Sequence, residues 1–201
     1  ERVYLTDFIL ACFAYFLFVG SDSIVKYLGS DYSIVQIIFV NSWFALIPIV
    51  LYTQTLNGWR KLKKANFTVH FFRALTMALA LFFGYTGFYR LPMVTMYSIV
   101  FLIPLLITLG SVFFLGEVVR WKRFTAILIG FIGAIISINP FGTEYDNYIF
   151  FALFCPIFAS ASYLIVRKYG FKENLFSFLI YGKILMLVLT GVFALFIFKP
   201  V

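Results

Sequence analysis

"VHFFRALTMALALFFGYTGFY", from Val69 to Tyr89, is apolar almost throughout and holds one permanent cation, Arg73. Its length suits the roughly 20 residues that an α-helix needs to cross the hydrocarbon core of a bilayer. A soluble helix of this composition would need a large core around it on every side. The rest of the chain offers no such core. It is 63% hydrophobic and 12% charged, against about 45–50% and 25% for soluble domains. The implied class is an all-α integral membrane protein.

Working outward from that stretch, apolar runs of spanning length occur near 8–27, 33–52, 69–89, 94–115, 121–139, 148–167 and 175–197. Seven membrane helices are therefore expected. The first run has no small-x-small cleavage site and reads as a true helix, not a signal peptide. Pro92, Pro140 and Pro200 stand at or beyond helix ends, and Pro48, Pro104 and Pro156 fall inside spans. Internal prolines are tolerated where neighbouring helices satisfy the freed carbonyls. In the fifth helix, Ala126, Gly130, Gly133 and Ser137 read as a small-residue face for close helix contact.

The net charge of +8 does not indicate nucleic acid, because the cations sit in short clusters between apolar runs. With the N-terminus inside, Arg2, the 60–64 cluster, the 120–123 cluster and Arg167, Lys168 and Lys172 all fall on the cytoplasmic side. Lys26, Arg90 and Lys199 fall outside. Such a bias sets the N-terminus in the cytoplasm and places the protein in a plasma membrane, the inner membrane of a bacterium.

A weak internal repeat accompanies the spans. Lys26-Tyr27 recurs as Lys168-Tyr169, 142 positions on, each pair ending one span and leading into the next. The copies are five spans apart, so the second enters the membrane inverted, a hallmark of secondary transporters. The expected organisation is a first five-helix repeat over 1–142 and the start of a second over 143–201. A complete second copy of residues 8–139 would end near residue 281, so the chain is expected to be part of a ten-helix protein.

Ionisable groups within spans are functional candidates by default. Asp22 lies on one face of the first helix with Cys12, Tyr15, Val19 and Lys26. It either holds a cationic solute or pairs with Lys26, four residues on. Lys183 lies deep in the seventh helix, and the repeat offset maps it onto Asn41 in the second. The two would then face one cavity, with Lys183 either binding a carboxylate or pairing with Asp22 or a backbone carbonyl of another helix. Arg73 either stretches its head to the interface or lines the inner mouth of a pathway. His70 reads as interfacial. Tyr97, Phe101, Pro104, Thr108 and Ser111 recur along one face of the fourth helix, either a cavity wall that Tyr85 and Thr86 of the third would join or a simple packing face. The two cysteines, Cys12 and Cys155, sit in apolar runs and read as small hydrophobes.

No nucleophile–base set, metal-ligand spacing or phosphate-binding glycine loop is present. An enzyme, a metal site, a cofactor and an ATP-driven pump are all disfavoured. A carrier for a small organic metabolite fits best, with Asp22, Tyr15, Asn41, Arg73, Tyr85, Tyr97, Phe101 and Lys183 as candidate solute contacts. An efflux carrier and a non-transporting membrane scaffold are the alternatives. Oligomeric state is left open.

The block from Phe71 to Pro140 resembles the third-to-fifth helices of the drug/metabolite transporter superfamily, in its EamA-type branch. The matching features are Arg73, Pro104, Leu115-Gly116-Glu117, and Gly130 with Gly133. "GSDSIVKYLG" (Gly20–Gly29) resembles the first helix of members that take up S-adenosylmethionine. The resemblance implies two inverted five-helix repeats and alternating access. It also implies transport of small organic metabolites; among these a zwitterionic or cationic solute such as S-adenosylmethionine or an amino acid fits the candidate residues best, Asp22 taking the cation and Lys183 the carboxylate. Asn41 stands where many members carry an arginine, and Lys183 is not a general feature of the family.

Overall fold

The computed structural model describes residues 2–55, 66–118, 120–138, 147–171 and 175–197. These residues are all-helical: α1 (Arg2–Leu28), α2 (Ile34–Thr55), α3 (Phe67–Arg90), α4 (Met93–Val100), α5 (Leu102–Leu115), α6 (Trp121–Ile138), α7 (Tyr148–Ala152), α8 (Phe154–Tyr169) and α9 (Leu175–Ile197). Together α4 and α5 form one span, as do α7 and α8, so six helices are long and apolar enough to cross a membrane. The apolar run of α6 is shorter, Phe124–Ile136. The expected seven helices are present. The boundary expected at 142/143, the 60–64 cations, Lys172 and Lys199 lie outside the described residues.

Both breaks have one cause. A proline cannot donate to the carbonyl four residues before it. Pro104 leaves Val100, the last residue of α4, without that bond, and Pro156 does the same to Ala152, the last residue of α7. The intervening Phe101 and Leu153 keep right-handed helical angles, so each break is one residue long and the chain does not unwind there.

At the centre stands α3, packed on α8 and α9 and more lightly on α1, α2 and α7. Close approach comes from its small residues: a β-carbon on Gly84 would lie 3.1 Å from Cys155 Sγ, and one on Gly87 would lie 3.1 Å from the Ala152 methyl. Small residues drive such membrane contacts because packing, not water, holds the helices together. Between them Phe83 stacks among Phe151, Phe154 and Phe158, at ring distances of 4.6, 5.2 and 5.7 Å. The small-residue contact expected in the fifth helix is not formed by its glycines. Gly130 and Gly133 of α6 are exposed, with nothing within 4 Å of a β-carbon.

The end of α5 shows why Leu115-Gly116-Glu117 closes it. Gly116 takes a left-handed φ of 68°, which carries almost no penalty for glycine. Glu117 N then donates back to Ser111 O at 3.2 Å, capping the helix. The turn aims Glu117 at Arg167 of α8, 2.7 Å away.

Candidate functional site

The last turns of α1 meet the end of α3 and the start of α4. Lys26 does not pair with Asp22. Its Nζ donates to Phe88 O at 3.2 Å and Leu91 O at 2.8 Å, where α3 leaves carbonyls unpaired and its dipole is negative. The i, i+4 spacing of Asp22 and Lys26 is real, but the long lysine side chain finds a better partner on the next helix. Asp22 is thereby left without a cation among the described residues.

Instead, the Tyr97 hydroxyl of α4 donates to Asp22 Oδ2 at 2.9 Å. The Tyr97 ring is held edge-on by Phe88, 5.2 Å away. Tyr85, buried in α3, lies with its hydroxyl against Ser21 and close enough to feel the Asp22 charge. A half-buried carboxylate with one neutral donor is under-compensated in a membrane interior. It is a natural seat for an ammonium or sulfonium, with two tyrosine rings beside it.

A second group lies about three turns away along α3, toward its start. Arg73 begins about 18 Å from Tyr85 along the helix axis. Its head crosses to α9. Nη1 donates to Phe178 O of α9 at 2.6 Å, and the guanidinium lies 5.5 Å from the Phe178 ring centre. Gly182 makes this possible, because a β-carbon there would overlap Nη1. Lys183 is next along α9 and within electrostatic range of Arg73. His70 packs edge-on against Phe178, ring centres 4.9 Å apart.

The remaining candidates separate. Asn41 lines a cleft of about 620 Å³ between α1 and α2, with Ser21 and Gln36. Tyr15 and Phe101 are each 73% exposed. The hydroxyls of Thr108 and Ser111 bond to carbonyls of their own helix, Pro104 O and Thr108 O, at 2.8 Å each. Thr86 does likewise, to Phe82 O. Ser21, Phe178 and Gly182 were not singled out in the sequence; a lone serine, phenylalanine or glycine in an apolar helix carries no signal of what lies opposite it.

Residues 6–139 match the EamA-like transporter family. The S-adenosylmethionine uptake transporter of Rickettsia felis is 30% identical over 85% of this chain and 58% of its own length. That of Rickettsia prowazekii is 30% identical over 82% of this chain and 55% of its own. A riboflavin transporter of Vibrio cholerae is 23% identical over 84% of this chain and 57% of its own. The chain thus spans somewhat over half the length of these curated relatives. No solved structure matches it significantly.

Proposed function

The chain belongs to the EamA-like transporter family, and from that premise we propose that it is part of a secondary carrier for a small cationic or zwitterionic metabolite. The observation that carries this reading is Asp22: a carboxylate within a membrane span, freed from Lys26 and oriented by Tyr97. Its charge would take the solute's ammonium or sulfonium, and Tyr85 and Tyr97 would flank it. The names of the relatives at 30% identity support uptake of S-adenosylmethionine or a solute of the same charge pattern.

The cation distribution supports a cytoplasmic N-terminus in a bacterial inner membrane. In that orientation Asp22 lies toward the outer face and Arg73 toward the inner one. The cleft between α1 and α2, beside Ser21, would be the approach to Asp22. The first repeat would run over 1–142, with 143–201 opening an inverted second.

Uptake of labelled S-adenosylmethionine and of a panel of amino acids into proteoliposomes, using the full-length protein, tests the reading. Saturable uptake of one solute, lost in Asp22→Asn, is the expected result. Uptake that keeps its preference for cations in Asp22→Asn would remove Asp22 from the site.

A further inference from the structure

Arg73 and Lys183 place two cations close together within membrane spans, on facing helices. Neither has an acidic partner among the described residues. The described carboxylates are elsewhere: Glu117 pairs with Arg167, Asp22 binds Tyr97, Asp31 lies in an exposed turn, and Asp7 is exposed on α1. Like charges in a low-dielectric interior repel strongly, and each carries a desolvation penalty as well. An arrangement of this kind is stable when an anion completes it.

The donors are arranged for one. Arg73 uses Nη1 on Phe178 O, which fixes the guanidinium plane. Its Nε is buried with no hydrogen-bond partner. An orphaned buried donor is a marked loss unless a partner arrives. Nε and Nη2 share one edge of the guanidinium, the fork that grips two oxygens of a carboxylate or phosphate. Lys183 follows Gly182, the residue on which the guanidinium rests, and with no hydrogen bond to any described residue it keeps its donors within electrostatic range of Arg73. Gly182 keeps the floor of the site clear by letting the guanidinium lie flat on the α9 backbone. Phe178 covers one face.

We propose that Arg73 and Lys183 form an oxyanion site between α3 and α9, distinct from the Asp22–Tyr97 cluster, that takes one carboxylate or phosphate group. The group is either the anionic end of a soluble molecule or the headgroup of an acidic lipid. The site does not depend on the carrier reading, and its test reads stability, not transport.

The test uses the purified full-length protein in a neutral detergent. Acetate and inorganic phosphate are titrated against chloride at constant ionic strength. In parallel, the protein is placed in nanodiscs of phosphatidylglycerol or of phosphatidylcholine. At a tenfold excess over the dissociation constant, a bound oxyanion is expected to raise the apparent unfolding midpoint by about 3–6 °C. Lys183→Gln should abolish the rise, and Asp22→Asn should retain it. A response to acetate or phosphate identifies a soluble anion; a response confined to phosphatidylglycerol identifies a headgroup. Lys183 makes no hydrogen bond to a described residue that the substitution would remove, so without anion Lys183→Gln should be at least as stable as the wild type. The proposal is overturned if Lys183→Gln responds like the wild type, or if neither the anions nor phosphatidylglycerol stabilise the wild type.

Discussion

Tyr97 on α4 donates its hydroxyl to Asp22 on α1 at 2.9 Å, while Lys26, one turn from Asp22, turns away to cap α3. The carboxylate is therefore oriented by a neutral donor and left available to an incoming cation. On the proposed reading Asp22 is a binding group and Lys26 a structural one, and the two roles are separable by mutation.

Asp22→Asn should remove the seat for positive charge while keeping size and shape. Uptake of a cationic solute is expected to fall at least tenfold, the scale of a lost charge-assisted contact. Initial rates in proteoliposomes check it. Tyr97→Phe keeps the ring and removes only the donor, so the expected effect is smaller, a rise in KM with the charge preference retained.

Lys26→Met should act on stability and leave charge selectivity unchanged. It strips the Phe88 and Leu91 carbonyls of their cap, with an expected loss of about 1–2 kcal/mol. The apparent midpoint of thermal unfolding in detergent, read beside solute preference, separates this outcome from a direct role in binding.

Gly182→Ala should be destabilising although alanine is the better helix former. The new methyl overlaps the Arg73 guanidinium, forcing it off Phe178 O at an expected loss of about 1–3 kcal/mol. Gly130→Ala in α6, where a β-carbon meets nothing within 4 Å, should be neutral or stabilising by up to about 1 kcal/mol. Comparing the two midpoints checks that contact, not helix propensity, sets the sign.

Glu117→Gln should lower stability by less than about 1 kcal/mol, because its bridge to Arg167 is partly exposed and screened. Thermal unfolding at low and high salt is the measurement, and the difference from wild type should shrink as salt rises.

Much of the architecture was legible from hydropathy, because a bilayer imposes a minimum length on every span and the chain meets it repeatedly. The breaks have a local cause as well: Pro104 and Pro156 each free the carbonyl four residues earlier, where α4 and α7 end, although Pro48 leaves α2 unbroken. Gly116 at the close of α5 belongs with these features, since its left-handed turn is a local backbone matter. All of this rests on interactions between residues close together in the chain, which a one-dimensional reading can follow.

The partners of the intramembrane charges are different in kind. Spacing along one helix pointed Lys26 at Asp22 and named no partner for Arg73; each crosses to another helix. Which helix that is depends on the lateral packing of α3, governed by Gly84, Gly87 and Gly182 against whatever stands opposite them. A glycine in the sequence records that something comes close without recording what. The contacts of Asp22, Lys26 and Arg73 join residues 62 to 105 positions apart, and no periodicity within one helix encodes a meeting over that separation.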